Sequence, residues 1–274
     1  MRLPVAGALC ALAFGLTAVA GVAGDSPDGR IVFVRWQPGT AGGLYTVNPD
    51  GSGLHQLNRS QGSTEAAPAW SPDRRRIAFQ RSTQRLGYAI WVMNADGTGQ
   101  RQLAADGNTP AWSPDSRKIV FSSGPLWAVN VDGTNRHRLA AVGNCADWSP
   151  DGRTIAFTLG TTGIYTIHVD GTGQRQLAAT GVCPRWSPDG RKIAYTLGKQ
   201  GGSERVPIWV MNADGTGAHL VRALSEQDGN VDWSPDGRKL AFTYRGDIWT
   251  MTASGTGLKR VTSGAGGDSG LSWQ

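Results

Sequence analysis

The sequence predicts an all-β fold, a six-bladed β-propeller of four-stranded blades, and three observations carry that prediction. One five-residue word recurs six times, as SPDGR at Ser26, SPDRR at Ser71, SPDSR at Ser113, and SPDGR at Ser149, Ser187 and Ser234. Its successive spacings are 45, 42, 36, 38 and 47 residues, around the roughly 40 to 45 residues of a propeller blade and irregular in the way loop insertions make them. The two ends are also complementary. A Trp precedes five of the words (Trp70, Trp112, Trp148, Trp186, Trp233) but not the first, whereas Leu271-Ser272-Trp273-Gln274 ends the chain with no word after it. A C-terminal strand that completes the first blade supplies the sixth Trp and closes the ring without a free sheet edge.

Before the ring, Arg2 is followed by an uncharged stretch from Leu3 to Gly24 with small residues at Ala18-Val19-Ala20. This is the pattern of a secretory signal peptide over residues 1–24, with an uncleaved anchor as the alternative. The propeller is expected over 25–274. Within each unit the Pro of the word fixes φ, the Asp bonds back to the backbone, and the Gly takes the left-handed residue of a hairpin. Arg74 and Ser116 stand where that Gly is expected, so these two turns should carry strain. A first strand follows (Ile31-Val32-Phe33, Ile77-Ala78-Phe79 and their counterparts), then a second with an aromatic at one place (Tyr45, Trp91, Trp127, Tyr165, Trp209, Trp249). DGTG-like turns at Asp50, Asp96, Asp132, Asp170, Asp214 and Ser254 lead into a third strand, and the fourth strand of each unit carries the Trp ahead of the next word.

The formal charge of +6 comes from basic residues that repeat with the architecture, Arg30, Arg74, Arg117, Arg153, Arg191 and Arg238 after the words. That distribution argues against nucleic acid and for a solvated surface, an anionic envelope partner being the alternative. Beyond the leader only Cys145 and Cys183 remain, each three residues ahead of its Trp in adjacent units. Equivalent depth would bring them opposite one another, while equivalent orientation around the ring would hold the sulfurs apart, so a single bridge is left open.

The Trp-SPDGR word followed by KIAF-like and IWVMNADGTG-like strands resembles the repeat of the TolB β-propeller family of bacterial envelope proteins. The resemblance spans Asp25 to Gln274. It implies a periplasmic or secreted binding propeller that is not an enzyme, here without the α/β domain that precedes the propeller of TolB. A monomer is expected, with an envelope protein as partner and membrane contact only through an uncleaved leader.

Candidate chemistry is sparse. His55, His137, His168 and His219 fall on the outer strands or at a second-strand end and do not converge, and Gly267-Asp268-Ser269-Gly270, although it matches a serine-protease word, sits on the closing strand without a partner His. Near the channel mouth, ahead of the Trp residues, Glu65, Asp106, Asn144, Asp228 and Asp268 offer oxygen ligands. No cofactor is expected, and Ca²⁺ is the ion such ligands would take. Arg185 occupies the place that Asp147 and Asp232 hold in the flanking blades and would pair with them. The connections between first and second strands bring Arg35, Trp36, Arg81, Tyr88, Tyr244 and Arg245, together with Arg85, onto one face, and aromatic residues with Arg are the usual anchors of protein interfaces. The leading expectation is protein binding through that face; the alternative is a metal-dependent hydrolase or lyase acting at the channel.

Overall fold

The structure is a computed structural model that describes residues 29–37, 42–59, 62–83, 87–197, 206–223, 230–264 and 266–274. The leader, Ser26, Arg85 and Asp228 lie outside the described residues. Six four-stranded antiparallel sheets form the blades. Blade three shows the plan: Asn108–Trp112 innermost, then Lys118–Ser122, Leu126–Asn130 and, outermost, His137–Ala140. The other innermost strands are Ser63–Trp70 (blade two), Asn144–Trp148 (four), Val182–Trp186 (five) and Val231–Trp233 (six). Blade one takes its innermost strand from the far end of the chain. Gly267–Trp273 pairs with Ile31–Trp36, Ile31 opposite Trp273 and Trp36 opposite Gly267. The expected closure is therefore present.

One detail of the repeat is corrected. Each Trp strand pairs with the strand that follows its word, so a sheet is offset by one strand from the unit counted word to word. Also, Arg75 rather than Arg74 holds the repeated Arg place: its N–H donates to Asp73 Oδ1, as those of Arg117, Arg153, Arg191 and Arg238 do to Asp115, Asp151, Asp189 and Asp236.

The words close identical hairpins. In each of the five words from Ser71 on, the Ser Oγ donates to the Asp carboxylate and accepts from the backbone N–H of the first strand, as Ser187 does with Asp189 (2.6 Å) and Lys192 (2.9 Å). Arg74 and Ser116 are left-handed at φ 60° and 58° as anticipated, and Ser116 adds a contact that Gly could not, its Oγ accepting from the Asp73 N–H of the preceding blade (3.0 Å).

First strands read as unbroken apolar runs because both faces of a blade are covered by neighbours. The middle residue faces one neighbour and its flanking Ile and Phe face the other. The Ile, the Phe and the Trp of a blade pack on the middle residue of the blade before it: Ile77, Phe79 and Trp70 on Val32, Ile119, Phe121 and Trp112 on Ala78, Ile155, Phe157 and Trp148 on Val120. The closing interface repeats this, with Ile31, Phe33 and Trp273 on Ala241 of blade six. At about 1.5–3 kcal/mol for each large apolar side chain buried, these six interfaces hold the ring.

Five innermost strands also bulge three residues ahead of their Trp, where Ala67, Thr109, Cys145, Cys183 and Gly270 have φ between 45° and 51°. The ladder skips this residue, as between Asn144 and Asp147. A bulge re-aims its side chain. At Cys145 and Cys183 the result is a disulfide joining blades four and five, with Cα atoms 4.7 Å apart.

Candidate functional site

The first-to-second-strand connections and the starts of the innermost strands share one face of the disk, as expected. What occupies that face differs from a set of free anchors. Arg35 is buried, 7% exposed, and clamps Asp268 with two hydrogen bonds of 2.7 Å. Its guanidinium lies over the rings of Phe33 (5.2 Å) and Tyr45 (5.7 Å), and the Asp268 hydrogen bond raises its pKa against the cost of burial. Arg81 repeats the arrangement one blade on, bonded to the buried Glu65 (2.9 Å) and stacked on Phe79 and Trp91. In blade three Arg136 does the same from the outer strand's approach, over Phe121 and Trp127 and paired with Asp106 at 2.7 and 2.9 Å. Arg136, helped by Ser123, holds the Asp106 carboxyl down at about 2. These pairs pack and neutralise; Arg35 and Arg81 are not open to a partner in the way Trp36 is.

Trp36 is 39% exposed and Tyr88 57% exposed. Tyr244 and Arg245 open a tight hairpin in which Arg245 and Gly246 are both left-handed (φ 53° and 71°), as a type I′ turn requires. The Arg245 guanidinium sits 5.3 Å over the Tyr244 ring, and that ring meets Trp249 edge-on. Gly246 O accepts from the N–H of Asp268 (2.7 Å), and Gly267 pairs with Trp36, so blade six and blade one present Tyr244, Arg245 and Trp36 side by side. Tyr88 stands on the next blade.

The proposed oxygen ligands are not brought together. Glu65, Asp106 and Asp268 are each engaged by an Arg, Asn144 accepts from Ser122 (2.9 Å) and Thr109 (3.2 Å), and Asp228 lies outside the described residues. Among the described residues no three His, Cys, Asp or Glu gather as a metal site. Among the described residues the donor set is thus poorly suited to Ca²⁺. His55, His168 and His219 are exposed at separate places on the outer part of the disk.

Sequence reasoning placed Asp147, Arg185 and Asp232 at this same mouth, but they stand at the opposite end. Each directly precedes its Trp, about 13 Å of strand beyond the level of Glu65 at roughly 3.3 Å per residue. There they line a funnel of about 270 Å³ walled by the six Trp residues and by Pro72, Pro114, Pro150, Pro188 and Pro235 of the words. Asp147 accepts from the Trp186 N–H (2.7 Å), Asp232 from that of Trp273 (2.9 Å), and Ser272 from that of Trp70 (3.2 Å), stitching blade four to five, six to one and one to two. Burial pushes the Asp147 carboxyl up to about 6 against the opposing charge of Arg185, and raises Asp232 as well. Arg185 makes no direct ion pair with either; its described hydrogen bond is to Pro184 O (3.3 Å). The signal for this funnel was the residue immediately before each Trp.

Comparison with known proteins agrees with this architecture. The family profile described as TolB beta propeller domain matches residues 26–182. A search of curated proteins returned no match. Among solved structures the chain is similar to TolB from Acinetobacter baumannii (20% identity, TM-score 0.79, covering 89% of this chain and 66% of that one). It is similar also to a chain of the nidogen/laminin complex (14%, 0.73, 89% and 97%) and to oligogalacturonate lyase from Vibrio parahaemolyticus (14%, 0.56, 82% and 72%). These identities bear on the fold.

Proposed function

We propose, for a chain that belongs to the TolB β-propeller domain family, a non-catalytic binding propeller of the bacterial envelope that takes a protein partner on the face carrying Trp36. The observation behind this reading is the pair of exposed aromatics on neighbouring blades, Trp36 and Tyr88, beside a rigid turn that presents Arg245. Large, stiff side chains bury area at little entropic cost, and truncating a true anchor costs about 2 kcal/mol or more in binding. Among the described residues Glu65, Asp106 and Asp268 of the same face are each held in an ion pair rather than free, which favours binding over hydrolysis or elimination. The apolar segment over residues 1–24 supports export, to the periplasm or beyond it.

The test is capture from an envelope extract by the native protein and by a Trp36→Ala, Arg245→Ala variant whose fold is verified by its thermal melt. Capture should fall at least tenfold. Unchanged capture by the folded variant removes this face from consideration.

A further inference from the structure

The opposite face, around the funnel, has a construction of its own. It is made of the word turns and, beside them, the turns between second and third strands with the exposed Asp96, Asp132, Asp170 and Asp214 (Ala95 N–H donates to Arg75 O, Ala213 N–H to Arg191 O). From blade two to blade six the word turns adjoin one another, Gly152 packing over Pro114, Gly190 over Pro150 and Gly237 over Pro188, while Ser116 bonds to Asp73. Because the five described word hairpins share one geometry, no connection longer than the word projects between innermost and first strands of blades two to six, and these turns stand level. Each described word turn holds one Asp against one to three basic residues. That Asp is engaged internally, by its Ser hydroxyl and by the N–H of its Arg. The arginine side chains are not: Arg75, Arg117, Arg153 and Arg191 are exposed, and among the described residues none has a carboxylate within ion-pair distance. Arg238 makes a loose pair with Asp236 at 3.9 Å, with 86% of its side chain exposed.

We propose that this ring of word arginines is a docking surface for an anionic phospholipid bilayer, laid flat against the headgroups. The arrangement selects among anionic partners. Nucleic acid is tracked by a stripe or groove of cations, whereas these charges are set apart, one blade from the next, on a circle. A folded acidic protein would need a matching circle of carboxylates. Lipid headgroups diffuse laterally and meet charges wherever they stand, and each basic residue near an anionic leaflet contributes about 1 kcal/mol, roughly fivefold in partitioning. The surface is distinct from the Trp36 face, so a propeller lying on a membrane keeps that face turned toward a partner.

The experiment is sedimentation of the full chain with vesicles of phosphatidylcholine alone or mixed with phosphatidylglycerol, at low and high salt. Binding is expected to rise with phosphatidylglycerol, to weaken with salt, and to fall by roughly a hundredfold or more in Arg75→Gln, Arg117→Gln, Arg153→Gln, Arg191→Gln. The matching Arg→Lys variant keeps the charge and should bind as the native protein does, as should Trp36→Ala; near-native melts of the variants confirm that folding is not the cause. Equal binding to both vesicle types overturns the proposal. So does undiminished binding by the Gln variant, or salt-sensitive binding to heparin or DNA without binding to the charged vesicles.

Discussion

Removing the last five residues, Gly270–Gln274, tests whether the ring depends on its closing strand. The deletion takes away Leu271 (4% exposed) and Trp273 (3% exposed), both packed with Ile31, Phe33 and Ala241 at the interface of blades six and one. Loss of a buried Trp costs about 3–5 kcal/mol and of a buried Leu about 2–5 kcal/mol. It also strips the reciprocal backbone bonds between Arg30 and Gln274 (2.6 and 3.0 Å), the Trp273 N–H bond to Asp232 and the bond from Trp70 N–H to Ser272. At about 1 kcal/mol each these add several more. The total reaches about 9–14 kcal/mol, as large as the whole stability of a typical domain, about 5–15 kcal/mol. The truncated chain should therefore lose its cooperative melt and its near-ultraviolet dichroism, and Trp273→Ala alone should lower the unfolding free energy by about 3–5 kcal/mol in urea titrations. Trp36→Ala, at a surface position, is the control and should change it by under about 1 kcal/mol. A truncated protein that melts within a few degrees of the native one would refute the closure argument.

Three further outcomes follow from the described contacts. Asp268→Asn leaves the Arg35 guanidinium buried without its counter-charge and should cost about 3–5 kcal/mol in chemical denaturation, whereas replacing both partners with apolar residues should recover much of the loss. The bridge between Cys145 and Cys183 closes a separation of 38 residues, so Cys183→Ala should lower stability by about 4 kcal/mol, and non-reducing mass analysis should find no free thiol at either position. Asp147 titrates at about 6 in the folded chain, above its unfolded value near 3.9, so the folded state binds the extra proton between these values. Stability should accordingly rise as pH falls from neutral toward about 4, and Asp147→Asn should flatten that slope in urea midpoints measured across the window.

The propeller, the number of blades and the closure by Gly267–Trp273 were legible in the sequence, because a word needed in every blade repeats at blade spacing and the Trp missing before Ser26 reappears as Trp273. Hairpin chemistry was legible too, down to the left-handed Arg74 and Ser116, since local backbone geometry is set by the few residues of the turn. The pairing of Arg35 with Asp268 and Arg81 with Glu65 was not read, although a signal existed: each acid lies five residues before its Trp and each Arg four after its Ile, and strand register sets those positions opposite one another. Depth in the channel required the structure, because Asp147 and Glu65 both precede a Trp closely in sequence yet lie at opposite ends of a strand. So did the disulfide. Equivalent places on neighbouring strands left the sulfurs together or apart, and the left-handed bulges at Cys145 and Cys183, features of the assembled ladder, turned them toward each other. Local periodicity determines which strands form and in what order; which side chains meet across them depends on register and twist, and these exist only once the blades are packed.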